Sequence, residues 1–191
     1  MIDEYNSDRT GWARFSDDRV MRYRLARSLN GKPIDVMYDE VVDAADLFDW
    51  RIRVVFLMLN PSTADAFQLD PTVNECRKRA IALGADVLEV VNLFALRSPY
   101  PEDLKSRIFG DRGDQGVADT EILAACRDAQ MVIAAWGNHG MLDRRSQIVT
   151  GLLGMAGVQL WHLGKTNSGH PKHPLARGKH RIPAGLAPVR L

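Results

Sequence analysis

The residues of this 191-residue chain best suited to chemistry gather in four polar turns. Asn60-Pro61-Ser62-Thr63-Ala64-Asp65 stops the apolar run 54–59, and Asn92 stands near the end of the run 87–94, with Arg97-Ser98 just beyond. Trp136-Gly137-Asn138-His139-Gly140 closes a third run. Gly164-Lys165-Thr166-Asn167-Ser168-Gly169-His170-Pro171-Lys172-His173-Pro174 follows a fourth. Amides such as Asn60, Asn92 and Asn138 can donate to and accept from a ligand or a water, but they are no bases near neutral pH. The imidazoles of His139, His170 and His173 and the carboxylate of Asp65 can move protons.

Several of these residues have an equally good structural use. Ser62 with Asp65 fits a capping-box variant, so Asp65 can serve either as a cap or as an acid–base group. Asp70-Pro71 reads as an N-cap followed by a proline in the first turn, and Asn138 can cap the helix after the third run. Asn92 lies inside an apolar run and needs a hydrogen-bond partner, either a neighbouring loop or a ligand. His162, among strand residues, reads as a core histidine.

Other chemistries lack their patterns. Gly164-Lys165-Thr166 resembles the end of a phosphate-binding loop, but the first glycine of that motif would fall at Gln159. No Gly-x-Ser-x-Gly or Gly-x-Gly-x-x-Gly is present. His170 and His173 have no third ligand fixed by spacing, so neither a metal nor another cofactor is expected. Cys76 and Cys126 form no Cys-x-x-Cys pair and are expected as reduced, partly buried thiols.

These turns need a frame that brings them together. Residues 52–59, 87–94, 131–136 and 158–163 read as buried strands, and 70–83, 119–129 and 141–153 as helices between them. Such alternation predicts a three-layer α/β/α domain around a central, mostly parallel four-stranded sheet. Its strand ends would share one edge, where ligands collect. A half-buried strand is expected over 19–29. Residues 1–18 read as irregular, 34–50 as an acidic excursion, 95–116 as a loop, and 164–191 as a basic loop segment. One domain over 1–191 accounts for the length.

Composition narrows the partners. The formal net charge is only +1, but residues 1–50 hold eleven of the 24 acids, whereas 164–191 hold six Lys/Arg, three of the five His and no acid. A basic segment suits an anionic partner, nucleic acid or nucleotide, or else a solvated edge. The longest apolar run is too short for a membrane span and the acidic start is no signal peptide, so a cytoplasmic protein is expected.

Two resemblances follow from the turns. Leu59-Asn60-Pro61-Ser62-Thr63-Ala64-Asp65, Asp70-Pro71-Thr72, Val91-Asn92-Leu93-Phe94-Ala95, Ala135-Trp136-Gly137-Asn138-His139-Gly140 and His173-Pro174-Leu175 resemble, in order, the motifs of the domain-of-unknown-function family numbered 1643, over roughly residues 20–185. That family has no established activity to carry over. More remotely, the series resembles the uracil-DNA glycosylase superfamily, especially its mismatch-specific branch. Phe56-Leu57-Met58-Leu59-Asn60-Pro61-Ser62 is similar to a strand ending in Gly-Ile-Asn-Pro-Gly. Val91 to Ser98 resembles a Thr-Asn-x-Val-x-Arg-Thr stretch, Ala135-Trp136-Gly137 a Leu-Trp-Gly strand end, and His170-Pro171 or His173-Pro174-Leu175 the final His-Pro-Ser or Asn-Pro-Ser loop.

The second resemblance implies a glycosylase-like fold and hydrolysis of the glycosidic bond of a modified or mismatched base. Asn60 would position water, Asn92 would read the base edge, and His173 or His170 would contact phosphate or the departing base. Pro61, Ser62, Thr63, Arg97, Trp136, Asn138 and His139 would complete the substrate pocket. Lys165, Lys172 and Arg177 would hold the nucleic-acid backbone. The sequence departs from the pattern where Met58-Leu59 and Ser62 replace glycines that let a backbone approach closely. It also carries an extra residue and no serine in the last loop, and no wedge loop is identifiable. The alternatives are a small-molecule or nucleotide enzyme with Asp65 or His139 as the acid–base group, or a non-catalytic binding module.

Overall fold

A computed structural model describes residues 1–34, 52–100, 103–104 and 112–191; the side chains of 112–114 are outside the description. The acidic excursion expected over 34–50 therefore lies, but for Ile34, outside the described residues.

The four expected parallel strands are present and adjacent. They are β4 (Arg53–Met58), β5 (Val87–Asn92), β6 (Met131–Ala134) and β7 (Leu160–His162). The sheet is larger than the four strands expected, however, and it is mixed. It has eight strands in the order β1-β2-β3-β5-β4-β6-β7-β8. Strands β1 (Ile2–Tyr5), β2 (Gly11–Phe15) and β3 (Arg22–Ser28) extend it antiparallel beside β5, and β8 (Val189–Arg190) pairs antiparallel with β7.

Residues 1–18 are thus a hairpin and not irregular. Its turn is held by Asn6 Oδ1, which accepts from Gly11 N at 2.7 Å, and by Asp8 Oδ1, which accepts from Thr10 N at 3.1 Å. Gly11 admits no side chain, because a Cβ there would lie 2.3 Å from the Ala66 carbonyl oxygen. The basic C-terminal segment is mostly loop, as expected, but it carries a 3-10 turn (Gly178–His180) and ends in β8.

Strand β4 is buried on both faces because its apolar residues serve two cores in alternation. Val54, Phe56 and Met58 pack with Val73, Cys76 and Ala80 of helix α1 (Pro71–Ala82). Val55, Leu57 and Leu59 pack with Ile122, Ala125 and Cys126 of helix α2 (Arg112–Arg127) and with Val149 and Leu153 of helix α3 (Arg145–Met155). Among the described residues, helix α1 on one face and helices α2 and α3 on the other make the α/β architecture three-layered. Among the described residues no helix is long and apolar enough to cross a membrane.

Helix α1 begins where its sequence signal places it, with Asp70 accepting from Val73 N at 2.8 Å and Pro71 in the first turn. Helix α2 starts at Arg112, earlier than the 119 expected. Residues 138–144 form a 3-10 turn broken at Leu142 and Asp143, so the third helix proper starts at Arg145 and not at 141.

Candidate functional site

The chain leaves β4 for β5 on one side and then crosses to β6 on the other, so the carboxyl ends of β4 and β6 form a topological switch point, with β5 next in the sheet. A pocket of about 500 Å³ opens there. Asn60, Ser62, Asn92, Trp136, Asn138, His139, Lys172 and His173 line it, which brings eight of the sequence candidates together.

The Asn60 turn is fixed by continuation of the β4–β5 ladder. Leu93 N donates to Met58 O at 2.8 Å, Phe94 N to Leu59 O at 2.9 Å and Ser98 N to Pro61 O at 2.8 Å. The Asn60 Nδ2 donates to the carbonyl oxygens of Ser98 at 2.8 Å and Pro61 at 3.2 Å. Two acceptors fix which end of the amide is nitrogen, and its Oδ1 is left to accept from the pocket. Asn92 is only 3% exposed, and neither its Nδ2 nor its Oδ1 has a partner among the described residues. The loop bond open to it in the sequence is therefore not made.

The far wall is built by β6 and the last loop. Gly137, at φ +70°, turns the chain so that its N donates to Pro171 O at 2.9 Å. Thr166 Oγ1 donates to Asn138 Oδ1 at 2.6 Å, so Asn138 ties two loops rather than capping a helix. Trp136 is buried against Gly140, where a Cβ would lie 2.1 Å from the indole Cδ1; its Nε1 has no partner among the described residues. His173 Nδ1 accepts from Leu175 N at 3.2 Å, which puts the proton of the neutral ring on Nε2. Burial holds His173 below the ordinary imidazole value, and the nearby Asp70 carboxylate only partly offsets this.

Other candidates stand elsewhere. Asp65 does not line the pocket: its Oδ1 accepts from Phe67 N and Gln68 N, both at 2.8 Å, so it acts as a turn cap. Pro61 contributes only its carbonyl to the turn, and Thr63 is exposed. Arg97 lies over the Phe15 ring and donates to Arg19 O at 3.3 Å. His170 closes the 166–170 loop through backbone bonds to Thr166, and exposed Lys165 bridges Pro171. Arg177 lines a second groove of about 680 Å³ with Lys78, Arg79 and Arg181. Ala176 belongs to the walls of both the pocket and the groove, which makes them neighbours.

Sequence reasoning missed Arg22, Thr72, Ser98, Thr166 and His180, and it favoured Asp70 as a cap over a catalytic acid; all six line the pocket. A signal for Arg22 was available, since arginines at 22, 24 and 27 in one half-apolar strand are unusual unless each has a task. His162 is a core residue with Nδ1 accepting from Gly164 N at 2.9 Å, and burial lowers its pKa. Cys76 and Cys126 are buried and free; burial pushes the Cys126 thiol up to about 12 and Cys76 further, so neither is a ready nucleophile. Among the described residues no three His, Cys, Asp or Glu side chains cluster to hold a metal ion.

No curated protein and no solved structure matches this chain. A match is found to the family described as protein of unknown function (DUF1643), over residues 46–175, a segment that carries every strand-end motif from Asn60 to His173. By that match, which spans more than half its length, the chain belongs to the DUF1643 family.

Proposed function

We propose that the pocket recognises a nucleobase, and that the reaction is hydrolysis of the N-glycosidic bond of a modified or mismatched base in nucleic acid. The observation that carries this reading is the Asn92 amide, a buried donor and acceptor side by side on a pocket wall with no partner of their own. Leaving such a pair unsatisfied costs about 1–3 kcal/mol per group, which a base edge of complementary donors and acceptors would recover.

The other residues fit the same step. In glycosidic hydrolysis the C1′–N bond breaks with its electron pair leaving on the base. Water then bonds to a cation-like C1′ and releases a proton to solvent. Against so strong an electrophile the water needs orientation more than deprotonation, and the Asn60 Oδ1 supplies it. His173 Nε2–H is a donor for the departing base. Asp65 takes no part, since its carboxylate already caps a turn. Lys172 at the pocket, with Arg177 and Arg181 in the adjoining groove, suits the flanking phosphates. The strand-end motifs and the three-layer frame make a uracil-DNA glycosylase-like fold part of this proposal.

Duplex and single-stranded oligonucleotides carrying uracil, hypoxanthine or mismatched thymine, incubated with the protein and then cleaved with alkali, test it. Scission that vanishes in Asn60→Ala is the expected result. Salt-sensitive binding without scission would turn the protein into a binding module, and absence of both would remove nucleic acid as its partner. The second reading, a free nucleotide or small metabolite, draws on the pocket volume, which lies within the roughly 300–1,000 Å³ usual for small ligands.

A further inference from the structure

The residue that sets this pocket apart from a neutral amide slot is Arg22. It comes from β3, an antiparallel strand outside the parallel core and outside the segment matched to the family. The β2–β3 ladder pairs Arg14 with Arg24 but Phe15 with Arg22, so Tyr23 is the extra residue of a bulge. A bulge re-aims the side chains beside it. Tyr23 goes to the α2 side, against Ala95 and Ala118, while Arg22 pairs with Phe15 of the α1 core and lines the pocket.

There Arg22 is 1% exposed. Its one hydrogen bond among the described residues runs from Nη1 to Ala64 O, at 2.8 Å. Among the described residues the Nε is buried without a partner, Nη2 makes no hydrogen bond, and no carboxylate closes an ion pair on the guanidinium; Asp70 acts only at longer range. A buried guanidinium without a counter-ion is costly, and it is held by a backbone that offers it one carbonyl. Burial lowers its pKa to about 10, which leaves it charged at neutral pH.

We propose that Arg22 binds the oxygen that carries negative charge on the heterocycle read by Asn92, so that the pocket favours the anionic form of its base. The inference rests on the nucleobase reading of the pocket. In the proposed hydrolysis the departing base takes the bonding electron pair, and Arg22 donates to the oxygen on which that charge settles. The charge is met by a donor already in place, and a preorganised donor of this kind contributes roughly 100- to 1,000-fold to a rate. Lys172 and the groove cations are left to the phosphates.

Two free heterocycles separate this subsite from the reaction itself. 5-Nitrouracil is an anion at pH 7.5, and uracil is neutral. Titrated into the full chain and followed by Trp fluorescence and calorimetry, 5-nitrouracil should bind at least about tenfold tighter than uracil. The preference should vanish in Arg22→Gln and return in part in Arg22→Lys. Should Arg22→Gln fail to fold, the guanidinium ¹⁵N resonance of Arg22 in the unmodified protein decides, since 5-nitrouracil should shift it. Equal binding of the two heterocycles, an unmoved Arg22 resonance, or a shift produced by inorganic phosphate in place of the heterocycle would overturn the assignment. A negative oligonucleotide assay alone would remove the reaction and leave the subsite standing, because free-base binding is read directly.

Discussion

Arg22 and Arg24 stand two residues apart on one strand and are buried alike, yet they live in opposite circumstances. Arg24 faces the α2 side of the sheet, where its Nε meets Glu89 Oε1 at 2.5 Å and its Nη1 lies 3.6 Å from Glu121. Arg53 joins Glu89 at 3.6 Å, and Arg14 links Glu121 at 3.0 Å to Asp3 at 2.8 Å. That side is a network of charges that answer one another. On the α1 side Arg22 has a single carbonyl among the described residues, and nearby Asn92 has no side-chain partner among them. Paired burial holds the fold together, whereas unpaired burial around a pocket is the ground on which a ligand site is proposed there.

That contrast can be broken first at its paired end. Glu89→Gln should cost about 3–5 kcal/mol in urea unfolding, because it leaves buried Arg24 and partly buried Arg53 beside a neutral amide. A loss below about 1 kcal/mol would mean that the network is ornamental. Asp65 extends the same logic to a satisfied carboxylate near the site. Asp65→Ala should lower stability by about 1 kcal/mol through two lost backbone acceptances, with base recognition unchanged. Loss of scission in a folded Asp65→Ala would restore it as an acid–base group.

At the unpaired end, Arg22→Met should shift stability by less than about 1 kcal/mol, in either direction, since it removes an uncompensated charge along with one bond to a carbonyl. A drop as large as that of Glu89→Gln would show Arg22 to be structural. The smallest effect concerns acid. Burial holds His173 and His162 below the ordinary 6.5. The unfolded chain therefore binds more protons as pH falls through that value, and stability declines from neutral pH downward until the folded imidazoles also protonate. His173→Gln should flatten part of this slope in unfolding curves taken between pH 5 and 7.5, and an unchanged slope would place the titration elsewhere.

Much of the frame was legible because it obeys local rules. Strands β4 and β6 are mainly apolar runs that end in polar turns, β5 is one interrupted by Glu89, and Asp70-Pro71 announces α1. Their shared edge then follows from parallel pairing, which is why Asn60, Asn92, Asn138 and His173 could be grouped from sequence. The hairpin β1–β2 was not legible. Its arginines and acids look like a solvated surface, but Arg14 bonds to Asp3 and to Glu121 of α2 and lies over the Trp12 ring. The arginines at 22, 24 and 27 signal a task for each, but the face that Arg22 takes is decided by the bulge in its pairing with β2, and no local pattern records that. Asp65 and Asp70 both cap backbone in their own vicinity, and only tertiary packing puts Asp70 in the pocket wall and leaves Asp65 out.

The tie between Asn138 and Thr166, with Gly137 bonded to Pro171, has a consequence for the order in which the site comes into being. Synthesis runs from the amino end, so Arg22, Asn60, Asn92 and Asn138 all emerge from the ribosome before His173. The amides proposed to read the base are thus synthesised before the residue proposed as donor to the departing base. The proposed chemistry waits for the last loop, which Gly137 and Asn138 hold through Pro171 and Thr166, and the strand that completes the sheet, β8, comes later still.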